Sequence, residues 1–98
     1  MATAVTPVDI GKFISRTPEV WHGLPVITGT RITVMGIIDL HRLDGMGPEE
    51  IARNKQLTLA QVHAALAYYY ANQQQMDKEI AQEQSEYDKQ RKDSRLFA

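Results

Sequence analysis

After Pro48 the chain contains neither glycine nor proline to its end at Ala98. With no breaker to interrupt it, this stretch is free to be helical wherever a start signal occurs. Thr58-Leu59-Ala60-Gln61 is such a signal, a threonine cap followed three residues later by glutamine, the spacing of a capping box. The reading is a helix that begins after Thr58 and runs to about Lys89. A seven-residue repeat laid from Leu59 meets Val62, Leu66, Tyr69, Gln73, Met76, Ile80, Glu83 and Tyr87 in turn. An apolar seam therefore follows this helix and weakens at Gln73 and Glu83.

Two shorter helices precede it. Thr33 is an N-cap for a helix from Val34 to about Leu43, in which Val34, Ile37, Ile38 and His41 share one face. Asp44-Gly45-Met46-Gly47 ends that helix, and Pro48 opens the next, with Glu49 and Glu50 set against the positive end of its dipole. Ile51 and Ala52 form its buried face, and it stops at Asn54 or Lys55. The order Ile51-Ala52, Leu57-Thr58, Val62, Leu66 is how a helix-turn-helix spaces its buried contacts. Gln56 stands where such a turn usually has glycine, so a left-handed backbone there costs about 1 kcal/mol or the turn takes another shape.

Upstream, Pro25 biases Leu24 toward extended geometry, Val26, Ile27 and Ile32 favour strand, and Gly29 supplies a positive φ between them. The expectation is a tight β-hairpin, with a further short strand at Phe13-Ile14-Ser15-Arg16. Strands this short need cover from the helices or from strands of a second copy, so a homodimer is expected. Trp21, the single tryptophan, reads as a buried anchor over the hairpin. The fold class is thus mostly α: a homeodomain-like three-helix helix-turn-helix core with an N-terminal β-hairpin and a long C-terminal helix. Residues 1–12 form an arm that is frayed or ordered by a partner, 13–72 the hairpin and helix-turn-helix domain, and 73–98 a helical extension.

Composition narrows the function. The formal net charge is -1 and neither sign dominates any segment, so no part of the chain is a strong polyanion magnet. Cysteine is absent, which excludes disulfides and thiolate metal sites. His22, His41 and His63 share no metal-ligand spacing, and the sequence holds no phosphate-binding glycine loop. Gly29-Thr30-Arg31 reads as a turn whose arginine pairs with a local carboxylate, with an anion grip as the second reading. Met1 to Lys12 lack a basic start with an apolar run behind it, and nothing approaches the length of a membrane span, so a cytoplasmic protein is expected. No catalytic residue, metal or cofactor is assigned; the expectation is a binding protein, not an enzyme.

Two surfaces are candidates. The start of the third helix would face DNA with Thr58, Gln61 and His63, while Arg53, Lys55, Arg31 and Arg42 are the available phosphate anchors. Arginine is missing from the reading face itself, and these four cations are fewer than the roughly 6 to 10 phosphate contacts of strongly salt-dependent binders. The second surface is the tail: Met76, Ile80 and Tyr87 form a seam for a second copy or for a groove on another protein, and Lys89, Arg91, Lys92 and Arg95 follow it. A plain solvated helix end, whose cations suit the dipole, is the competing account of that cluster.

The run from about Ile14 to Asn72 resembles the bacterial and archaeal family catalogued as domain of unknown function 433. Gly23-Leu24-Pro25-Val26-Ile27, Gly29-Thr30-Arg31-Ile32, Gly45-Met46-Gly47-Pro48-Glu49-Glu50-Ile51, Leu57-Thr58-Leu59 and Ala64-Ala65-Leu66-Ala67-Tyr68 carry the resemblance. It departs at Leu24, at Asn54-Lys55-Gln56 and in the long tail. The resemblance implies a homeodomain-like fold with an added β unit, and an antitoxin paired with a PIN-like nuclease toxin, with autoregulation through promoter DNA as a second role. In antitoxins of that type a C-terminal segment blocks the toxin's acidic metal site, which points to Arg91 or Arg95 here. The alternatives are a homodimeric assembly module that contacts neither DNA nor toxin, and a helix-turn-helix transcription regulator.

Overall fold

The computed structural model describes residues 9–96, and the side chains of residues 9–90. The chain is mostly helical, with a small antiparallel sheet at its N-terminal side. Strand β1 (Ile14–Ser15) and strand β2 (Val26–Ile27) precede four helices, α1 (Val34–Arg42), α2 (Pro48–Lys55), α3 (Leu59–Ala71) and α4 (Gln73–Leu96).

Each of the first three helices starts on local chemistry. The Thr33 hydroxyl accepts from the Gly36 amide and opens α1, and Pro48 occupies the first turn of α2, where its missing N–H costs nothing. At α3 both halves of the capping box form: Thr58 Oγ1 accepts from the Gln61 amide at 3.1 Å, and Gln61 Oε1 accepts from the Thr58 amide at 2.8 Å. Between α2 and α3 the turn keeps its usual shape, because Gln56 adopts φ 56° and ψ 44° in the left-handed region. His41 sits half-buried at the end of α1 and its Nδ1 lies 2.9 Å from the Met46 carbonyl, which ties the helix to the loop before α2.

The β unit is smaller and differently partnered than expected. Val26–Ile27 pairs with Ile14–Ser15, in the register Ile14 opposite Ile27 and Ser15 opposite Val26. On its other side the hairpin is reduced to one bridge, Val26 to Thr33, and the bond from the Ile27 amide to the Ile32 carbonyl. The Ile27-to-Thr30 turn closes with Gly29 at φ 81°, so the predicted turn residue is in place. Both strands are covered within the chain: Ile27 is fully buried and Ile14 packs on the same cluster. That removes the physical reason for expecting strands of a second copy to supply the cover. Trp21 is no buried anchor; it stays 46% exposed and reaches the turn with a single bond from its indole N–H to the Arg31 carbonyl at 2.8 Å. It and His22 are held at φ 49° and 43°, a left-handed geometry that costs roughly 1–2 kcal/mol per non-glycine residue.

The core lies where α1 and α2 meet α3. Val34, Ile37 and Ile38 of α1, Ile51 of α2 and Val62, Ala65, Leu66 and Tyr69 of α3 are buried around Ile27, and Leu57 plugs the α2–α3 turn from half-buried cover. Full burial of an aliphatic side chain is worth roughly 1.5–3 kcal/mol, so this cluster dominates what holds the three helices together.

The expected single helix from Thr58 to Lys89 is broken once. Asn72 leaves helical geometry at φ -128° and ψ 35°, and its side-chain amide donates to the Tyr68 carbonyl at 2.9 Å. An asparagine amide competes with the backbone for such carbonyls, which is why it can end a helix without glycine or proline. The path resumes at once as α4, and Met76 in its first turn is fully buried in the same core.

Two stability measurements follow. Gln56→Gly relieves the left-handed strain and raises the unfolding free energy by about 1 kcal/mol in urea titrations followed by circular dichroism. Met76→Ala lowers it by about 2–5 kcal/mol, the cost of a buried methionine truncation, because the base of α4 belongs to the core.

Candidate functional site

The face of α2 and α3 that was expected to meet DNA is largely committed elsewhere. Gln61, the amide best suited to adenine, has its carbonyl oxygen held in the cap of α3, and the Thr58 hydroxyl is held there with it. Arg42 donates from Nη1 to the Tyr69 hydroxyl at 2.5 Å, lies over the Tyr69 ring at 5.7 Å and stands 4.0 Å from Asp77. Arg31, expected to pair with a carboxylate, stacks instead over the Trp21 ring at 5.6 Å. What remains is His63, exposed on α3, and Arg53 and Lys55 on the last turn of α2, which are exposed and make no ion pair with the described residues. With two unengaged phosphate anchors in place of four, this face is electrostatically weak.

The C-terminal helix is held at its base by a series of polar fasteners. The Arg16 guanidinium makes a forked pair with Glu79, both N–O distances 2.9 Å, and also donates to the Tyr68 hydroxyl and the Gly23 carbonyl at 3.1 Å each. Glu79 and Tyr68 together keep that guanidinium charged well above its ordinary range. One helical turn on, His22 Nε2 lies 2.6 Å from Glu83 Oε1. On another side Tyr69 donates its hydroxyl to Asp77 at 2.7 Å; that bond, and then burial, raises the pKa of the phenol.

These contacts divide α4 in two. Met76 is a core residue of this chain, so it is not offered to a partner as the seam predicts, and Ile80 is half-buried against the same core. From Gln84 to Gln90 every residue is exposed, including Tyr87 at 57%, and an Asp88 carboxylate accepts from Gln84 at 3.2 Å along the helix surface. Arg91 and Arg95 lie on the helix path but outside the residues whose side chains are described.

Between the loop that carries Trp21 and His22 and the face of α4 that carries Glu79, Glu83 and Glu86 lies an open cleft of about 690 Å³, with Leu24 and Tyr87 also in its wall. Sequence reasoning missed it. The carboxylates at 79, 83 and 86 share one helix face by spacing alone, but nothing in the chain order says that this face meets residues some sixty positions upstream. Among the described residues no group of three or more His, Asp or Glu side chains could hold a metal ion, and no helix is long and apolar enough to cross a membrane.

A family model described as "Protein of unknown function (DUF433)" matches residues 14–69, from β1 to the last turn of α3. Among solved structures, the crystal structure of a DUF433 member protein from Anabaena variabilis ATCC 29413 is similar to this chain, with 37% sequence identity and a TM-score of 0.63 over 71% of this chain and 69% of that one. No curated protein matches the chain.

The Tyr69 hydroxyl makes stability sensitive to alkali. A phenol whose pKa is raised by folding contributes stability that is whole below its unfolded value of 10.0 and is lost as the pH climbs through the raised one. Unfolding free energies measured across pH 8 to 11.5 fall at the alkaline end, and in Tyr69→Phe the Tyr69 share of that fall disappears.

Proposed function

The chain belongs to the DUF433 family, and we propose that it is a non-enzymatic, antitoxin-type binding protein that uses the outer half of α4 to hold a PIN-like nuclease. The observation that carries this reading is the division of α4. Its first turns are packed into the domain by Met76 and fastened by Asp77, Glu79 and Glu83, while everything from Gln84 to Gln90 stands in solvent. A polar helix clear of any core has little of its own to stabilise it beyond continuity with the docked turns, which suits a segment that buries surface on a partner.

The position of α4 relative to the family match supports the same division of labour. The matched residues stop at 69, so α4 lies beyond the residues that the family model matches, where a partner specific to this chain would be engaged. Autoregulation through DNA receives less support: Arg53, Lys55 and His63 are its only unengaged side chains of the seven proposed, and the arginines at 31 and 42 are occupied within the molecule.

The test is co-expression with a PIN-like nuclease encoded next to this chain, comparing the full chain with one that stops after Gln84. That truncation keeps Met76 and the fasteners at Asp77, Glu79 and Glu83, which a cut after Asn72 would remove together with part of the core. The full chain co-purifies with the nuclease and suppresses its RNA cleavage; the shortened chain unfolds at an unchanged midpoint and does neither. Undiminished capture by the shortened chain overturns the assignment to α4.

A further inference from the structure

We propose that Asp44-Gly45, in the loop between α1 and α2, is a self-modification site at which the folded protein converts aspartate to isoaspartate through a cyclic imide. The proposal stands apart from the nuclease reading, since it does not involve α4. Asp44 is the one aspartate or asparagine in the sequence that precedes glycine. The imide joins the side chain of one residue to the backbone nitrogen of the next, so a side chain on that next residue hinders it, and glycine has none. The fold needs glycine there for its own reason: Gly45 takes φ 69° where the chain leaves α1, a backbone that glycine adopts without strain.

Whether such a pair reacts depends on its surroundings. Helices and sheets protect it, because the nitrogen that must turn toward the carboxyl is held in a hydrogen bond. Here nothing holds it. Asp44 and Gly45 are both exposed, the Gly45 N–H makes no hydrogen bond among the described residues, and a carbon added at Gly45 would meet no atom within 4 Å. The Asp44 carboxyl is likewise without an ion pair or hydrogen bond among those residues. It acts on Asp39, a like charge, whose own pKa is raised first by burial and then by Asp44, so that neighbour gives the side chain no anchor.

The Gly45 nitrogen attacks the γ-carbon of Asp44 in its carboxylic acid form. The N–Cγ bond forms, the Cγ–OH bond breaks, and the hydroxyl leaves with the N–H proton as water. Water then opens the five-membered ring. Attack at Cγ restores aspartate; attack at the backbone carbonyl carbon breaks its bond to nitrogen, routes the chain through the β-carbon and frees the α-carboxylate. One water is lost and one regained, and nothing is oxidised or reduced. The isomer adds a backbone atom to a short loop that is tied down just beyond it, where Met46 donates its amide to the Leu40 carbonyl at 3.0 Å and its carbonyl lies 2.9 Å from His41 Nδ1. Conversion therefore pulls against both bonds and loosens the junction that sets α2 against α1.

The full-length protein is kept for several weeks at body temperature and neutral pH and digested with trypsin, and the peptide of residues 43–53, released after Arg42 and Arg53, is separated by chromatography and fragmented to locate the β-linked backbone. A second peak of the same mass grows in with isoaspartate at position 44, at a rate close to that of the chain unfolded in guanidinium chloride. Asp88, exposed in α4 but followed by an amide inside the helix, stays unconverted. Asp44→Glu, which would need a six-membered ring, gives no second peak. In the converted protein the Met46 amide exchanges its hydrogen several-fold faster than before. No isomer at 44, conversion far slower in the folded chain than in the unfolded one, equal conversion at Asp88, or a second peak in Asp44→Glu overturns the site; an unchanged Met46 amide overturns the loosening of the junction.

Discussion

A phenol buried to its last atom must still satisfy its hydroxyl, and Tyr69 does so in a way that organises the molecule. Its ring lies in the core under α1 and α3, and its oxygen accepts a hydrogen bond from Arg42 of α1 and donates one to Asp77 of α4. Three helices thereby meet at one oxygen. Because Asp77 is only one residue beyond Met76, the polar contact and the apolar anchor act on the same turn, and the start of α4 is placed by both. The same bond engages the Arg42 guanidinium that a phosphate would otherwise claim, although the side chain stays exposed.

The polar fasteners of α4 follow from that placement. Once the first turn is docked, the next carboxylates along one face, Glu79 and Glu83, come opposite Arg16 and His22 of the N-terminal unit. Exposed ion pairs are individually weak, often below about 1 kcal/mol, but the forked geometry of Arg16 on Glu79, with two further bonds from the same guanidinium, is the favourable case. The left-handed backbone at Trp21 and His22 belongs to this arrangement, since it turns the loop so that one ring caps the β turn and the other reaches Glu83. Beyond Glu83 the described side chains of α4, from Gln84 to Gln90, are exposed.

The helical half of the fold was legible because its signals are short-ranged. Thr33, Pro48 and Thr58 act on amides within three residues of themselves, so the starts of α1, α2 and α3 could be read from neighbours alone. The turn at Gln56 was legible as a choice between strain and a changed shape; packing of Ile51, Leu57 and Val62 decided for strain. The break at Asn72 was not legible. Asparagine is tolerated inside helices, and only the three-dimensional path shows its amide bonded back to Tyr68. Trp21 was misread for a related reason: size and hydrophobicity argue for burial, whereas its position on a loop at the edge of the sheet leaves the ring half outside.

Local order along the chain determined the helix starts, the glycine turn and the family resemblance, since each depends on residues a few positions apart. Tertiary structure alone decided which polar groups are spoken for. Arg42 and Arg31 looked available and are engaged, Met76 looked like an interface and is core, and a cleft appeared between Trp21, His22 and Leu24 and the carboxylate face of α4, far apart in the chain. A side chain's chemistry is written in its identity, but whether that chemistry is free to act depends on what the fold brings within about three ångströms of it.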